Sequence, residues 1–68
     1  MKFNYNELKR LRVGGEMSQE QLGNLAGCTR SAISMMERGK CEPSRKTLIY
    51  FSEIFKVSID HFFLISTD

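Results

Sequence analysis

Arg30, Ser31, Ser34, Met35 and Arg38 are spaced so that one helix would gather them on a single side. Their chemistry is recognition rather than bond-making. A guanidinium fork donates two parallel N–H bonds to paired acceptors, such as O6 and N7 of a guanine or the oxygens of a phosphate. Serine hydroxyls donate and accept, and their small size allows close approach. A methionine end meets a thymine methyl or serves as spare surface. Catalysis has little to draw on. The single His61 has no nucleophile pattern near it, the acids are scattered, and no Gly-rich phosphate loop is present. Cys28 and Cys41 form no C-x-x-C pair and His61 is distant from both, so neither a metal nor another cofactor is expected. Reduced thiols suit a cytoplasmic setting.

The elements that must position this face are written in helix caps. Ser18 with Gln21 forms a capping box, with Met17 and Leu22 as its hydrophobic staple. Thr29 caps the next helix, with Cys28 and Ile33 in the staple positions. Gly27 lies in the turn between the two. The pattern predicts a helix-turn-helix over about residues 18–38, with its second helix, about 30–38, shaped for the major groove of DNA. Ser44 after Pro43 opens a fourth helix, and Ser58 opens a fifth with Val57 and Phe62 as staple. The first helix runs from about Tyr5 or Asn6 to Val13 and stops at Gly14-Gly15. No stretch alternates with period two, so strands are not expected. The fold class is all-α, with five helices.

Sixty-eight residues suffice for one domain, 1–68, with a core over about 5–65. The composition, 41% hydrophobic and 26% charged, is that of a globular chain. No apolar run approaches the roughly 20 residues of a membrane span. The opening MKFNYNELKR has no apolar stretch behind its basic residues, so no secretion signal is read and the cytoplasm is the expected location. Net charge is only +2, yet it is unevenly placed. Residues 28–46 hold five cations against two acids, whereas from residue 47 onward one cation faces three acids. The basic excess begins at the second helix of the pair, as a phosphate-facing edge or a merely solvated face would have it.

Periodicity assigns the inward faces. They are Tyr5, Leu8, Leu11 and Arg12 in the first helix, then Leu22, Leu25 and Ala26 in the second. Ala32, Ile33 and Met36 serve the third. Leu48, Phe51, Ser52 and Phe55 serve the fourth, and Ile59, Phe62 and Phe63 the fifth. Arg12 is a charge on an apolar stripe, and Glu37 sits at the margin of the third helix's inward face. A planar guanidinium taken partly out of water needs a carboxylate, so the two are expected to pair; otherwise both reach out to water.

LKRLR, MSQEQLGNLAGCTRSAISMMERGKCEPS and LIYFSEIFKVSIDHFF together resemble the Cro/lambda-repressor-type helix-turn-helix domain, the XRE family, from about Leu8 to Phe63. The shared elements are an Arg late in the first helix, S-Q-x-x-L, the turn Gly, I-S-x-x-E-x-G, the following Pro and V-S-I-D. The resemblance implies five helices, the third in the major groove, and a two-fold pair on a palindromic operator. It places Gln19 on a phosphate at the start of the second helix, and Arg30, Ser31 and Met35 on the base-reading face. The loop from Arg38 to Arg45 is implied to touch the other strand's backbone, and the Arg12–Glu37 pair is itself a family feature. This chain departs in three places: Gly23 stands for a usual Ala, Lys56 for a usual Gly, and Met35 for a base-reading residue that is often polar.

The expected function is a sequence-specific DNA-binding transcriptional regulator, a repressor of bacterial or phage origin working at the nucleoid. Arg30, Ser31, Ser34 and Met35 are assigned to bases, with phosphate the alternative for Arg30 and the serines. Ser18, Gln19, Asn24, Thr29, Arg38, Lys40, Arg45 and Lys46 are assigned to the DNA backbone. Ile49, Tyr50, Ile54, Phe63, Leu64 and Ile65 exceed what one small core can hide. Phe63, Leu64 and Ile65 are therefore the candidate seam of a homodimer. The alternative function is the antitoxin of a toxin–antitoxin pair, which would use the same domain while serving a protein partner.

Overall fold

The computed structural model describes residues 2–64. A short strand β1 (Lys2–Phe3) leads into α1 (Tyr5–Gly14). Then follow α2 (Gln19–Ala26), α3 (Arg30–Glu37) and α4 (Arg45–Phe55), a turn of 3-10 helix (Ile59–Phe62) and a strand β2 (Phe63–Leu64). The five expected helices are thus four α-helices and one 3-10 turn. Ser58 opens that turn without a side-chain capping bond. The turn ends as the chain passes at Phe63 into extended backbone, with φ −120° and ψ 137°.

The strand pair is the second departure. β1 and β2 run antiparallel, with Lys2 opposite Leu64 and Phe3 opposite Phe63. The Asn4 N–H donates to the Phe62 carbonyl at 2.7 Å. Phe3 stacks on Phe62 and meets Phe63 edge-on, each at a centroid distance of 6.2 Å. The core therefore starts at Phe3, ahead of the first predicted helix.

The other caps form as their residues dictate. Ser18 Oγ accepts from the Gln21 N–H at 3.0 Å while Gln21 Oε1 accepts from the Ser18 N–H at 2.8 Å. Thr29 Oγ1 accepts from the Ala32 N–H at 3.0 Å, and Ser44 Oγ from the Thr47 N–H at 3.2 Å. α1 closes over Gly14 and Gly15, but the left-handed residue just beyond is Glu16, with φ +58°. α4 ends on Lys56, also left-handed at φ +56°. The cap keeps its geometry and the lysine bears strain that a glycine would not.

Leu8, Leu22, Ala26, Ile33, Met36, Leu48, Phe51 and Phe62 close the core together with Phe3. Full burial of one such large side chain contributes roughly 1.5–3 kcal/mol. Three expected inward residues lie elsewhere. Leu25 is 57% exposed, because α2 meets its neighbours on the narrow face of Leu22, Gly23 and Ala26. Tyr5 stays 37% exposed and lays its ring along Gly39. Ser52 turns its hydroxyl back onto the Ile49 carbonyl at 2.8 Å.

Candidate nucleic-acid interface

α3 divides its residues by side. Ile33, Met36 and Glu37 are buried, while Arg30, Ser31 and Met35 are exposed and Ser34 is half-buried. The four residues read as base contacts therefore share the outward face. Thr29 stands at its leading end and Arg38 caps its trailing end.

The turn before α3 is unusually close. Gly27 takes φ +71°, and the Cys28 N–H donates to the Gly23 carbonyl at 2.8 Å. A Cβ on Gly23 would lie 2.7 Å from the Cys28 carbonyl oxygen, so backbone occupies the space that a side chain needs. Gly23 is therefore more than a weak helix former: its missing Cβ lets the turn reach α2 and sets where α3 begins. The Cys28 thiol is half-buried beside Thr47, with Sγ and Oγ1 3.7 Å apart. This thiol packs where α2, α3 and α4 converge.

At the end of α3 away from this turn, Arg12 and Glu37 pair as the sequence implied. Arg12 Nε donates to Glu37 Oε2 at 2.6 Å and Nη2 to Oε1 at 3.1 Å, while Nη1 donates to the Met17 carbonyl at 2.7 Å. Gln19 joins them, its Nε2 donating to Glu37 Oε1 at 3.1 Å. Read from sequence as a phosphate ligand, Gln19 spends one amide N–H inside the protein and keeps one donor free. Ser18 and Thr29 accept capping bonds through oxygen, which leaves each hydroxyl proton available to an outside acceptor.

Arg30, Arg38, Lys40, Arg45 and Lys46 are all exposed, and among the described residues none makes a salt bridge. Arg45 and Lys46 open α4, whose first turn carries no acid. Cations there oppose the helix dipole at a cost of roughly 0.3–1 kcal/mol each. Their field and the free backbone N–H groups both favour an anion. Asn24, exposed on α2, lines a shallow hollow with Gln21 and Leu25. Among the described residues no group of three or more His, Cys, Asp or Glu could hold a metal ion.

The structure also gathers residues that the sequence did not single out, Lys2 above all, beside ones that it did. A concavity of about 200 Å³ beside the end of α3 is lined by Lys2, Tyr5, Arg38, Gly39, Cys41 and Glu42, among others. Lys2 arrives there through the β1–β2 pairing, for which a two-residue strand carries no periodic signal. Phe63 is half-buried against Phe3 of its own chain. Leu64 is placed by its backbone pairing alone, and Ile65 lies outside the described residues.

Residues 8–62 match the model of the helix-turn-helix family. The chain belongs to that family, in its Cro/lambda-repressor-type branch. The HTH-type transcriptional activator BcrR of Enterococcus faecalis is 42% identical over 60 residues, covering 88% of this chain but 29% of BcrR. This chain thus spans less than a third of that relative. The HTH-type transcriptional regulator MJ0272 of Methanocaldococcus jannaschii is 33% identical over 63 residues, covering 93% of this chain and 96% of MJ0272. Among solved structures, the P22 c2 repressor in complex with a synthetic operator superposes with a TM-score of 0.84 at 26% identity, covering 91% of this chain and 94% of that one.

Proposed function

We propose that this chain is a sequence-specific DNA-binding transcriptional regulator that inserts α3 into the major groove. The observation that carries the reading is the outward face of α3, where Arg30, Ser31 and Met35 stand clear of the core between two capped ends. Arg30, in the first turn, reaches base edges, with guanine O6 and N7 as its natural pair. Ser31 and Ser34 approach bases or phosphates, and Met35 offers an apolar end to a thymine methyl. Ser18, Gln19, Asn24, Thr29, Arg38, Lys40, Arg45 and Lys46 hold the backbone on either side.

Two copies act together on a palindromic site, their α3 helices about one DNA turn apart, ~34 Å. Repression is the regulatory outcome, since occupying an operator suffices to exclude another protein from it. The chain has no enzymatic role in this reading, needs no cofactor and works in the cytoplasm. No helix of the described residues is long and apolar enough to cross a membrane.

Selecting bound fragments from a pool of random duplexes tests this directly. A two-fold symmetric consensus is the expected result. Recovery of fragments with no enriched sequence would overturn the reading.

A further inference from the structure

The concavity beside the end of α3 lies outside the base-reading face, and Lys2 and Tyr5 within it have no part in the function described so far. We propose that it is an additional DNA-phosphate site, in which Lys2 and Arg38 together hold one phosphodiester flanking the groove occupied by α3. This rests on the DNA-binding reading above.

Lys2 is held by the fold. Its neighbour Phe3 is buried among Phe62 and Phe63, the strand pairs with β2, and alternation along a strand then turns Lys2 outward. Arg38 reaches the same hollow from the C-terminal cap of α3. Its Nε bonds to the Ser34 carbonyl at 3.4 Å, which leaves the two terminal nitrogens for a ligand.

Gly39 keeps the two sides together. It takes φ +74°, which favours glycine, and a Cβ there would lie 3.0 Å from Tyr5 Cε1, so the ring could keep its place only by shifting slightly. The Tyr5 ring can then lie along the loop with its phenol as a further donor. Two cations and the Glu42 carboxylate leave a charge of one positive unit, which matches the single negative charge of a phosphodiester. Among the described residues neither Lys2 nor Arg38 is paired with Glu42.

The test measures binding of the whole chain to a duplex recovered by selection and to a random duplex, from 0.1 to 0.4 M salt. Lys2→Ala should weaken both by roughly five- to tenfold at 0.1 M and flatten the log–log salt slope by about 0.9, the signature of one lost phosphate. Glu42→Gln should tighten both. Lys56→Ala, at the opposite end of α4 from Arg45, should leave the slope unchanged. A wild-type slope in a Lys2→Ala protein that melts normally overturns the proposal while DNA binding stands. Equal flattening by Lys56→Ala reduces the effect to bulk charge and also overturns it. If the wild type selects no sequence and shows no salt dependence, the DNA-binding reading falls and takes this site with it.

Discussion

Arg12 and Glu37 meet as a two-point fork, Nε to Oε2 at 2.6 Å and Nη2 to Oε1 at 3.1 Å, with side chains 12% and 3% exposed. The fork joins the end of α1 to the end of α3, and Gln19 fastens the start of α2 to the same carboxylate. Each partner removed alone strands the other in a poorly solvated place. Glu37→Ala should therefore cost about 3–5 kcal/mol, most of the stability of a domain this small. Arg12→Ala should cost a similar amount, and the double variant much less than the sum. A denaturant-unfolding cycle in which the two costs simply add would show that the pair is not coupled.

Gly23→Ala sets two effects against each other. Helix propensity favours alanine by about 1 kcal/mol. The new Cβ, however, would meet the Cys28 carbonyl at 2.7 Å, a backbone atom that cannot swing aside. The steric term should win, with a net loss of about 1–2 kcal/mol. A thermal midpoint above that of the wild type would show that the turn can relax. DNA binding should weaken along with stability, because the same shift tilts α3.

At Lys56 the balance runs the other way. Its left-handed conformation, φ +56°, strains an L side chain. Lys56→Gly should relieve roughly 1 kcal/mol of that strain without disturbing the core. The check is a higher urea midpoint at an unchanged slope.

Acid stability should depend on Glu7. Its carboxyl is lowered from 4.5 to about 2, first by the hydrogen bonds from Arg10 and further by the bond to His61, against the opposing effect of burial. A carboxyl held down in the folded state stabilises fully above its unfolded value, and the contribution disappears as pH falls through the folded value. Wild-type stability should therefore decline between about pH 4.5 and pH 2. Glu7→Gln should be flatter across that window, as measured by urea midpoints at each pH. Indistinguishable slopes would remove Glu7 from the account.

Arg30→Ala separates base reading from phosphate contact. On a selected duplex it should cost about 1–3 kcal/mol and relax preference at a single base pair. Equal weakening on every sequence, with a flatter salt slope, would reassign Arg30 to the backbone.

The sequence by itself determined the parts of this protein that are decided within a few residues. Ser18, Thr29 and Ser44 cap helices because their oxygens need only reach an amide three positions on, and Gly27 turns the chain because it lacks a Cβ. The outward face of α3 follows from helical spacing alone. Arg12 and Glu37 could be matched across 25 residues because a buried charge has few acceptable partners. Tertiary structure decided the rest. Phe3 enters the core and Lys2 comes to line the same hollow as Arg38 only because β1 finds β2 at the other end of the described chain, and two-residue strands leave no period to read. Leu25 points outward because packing partners, not periodicity, choose which part of a short helix is covered. Gly23 looks like a helix defect until the Cys28 carbonyl is seen in the space its side chain would have filled. Capping and turn chemistry are local, whereas burial depends on neighbours that only the folded chain supplies.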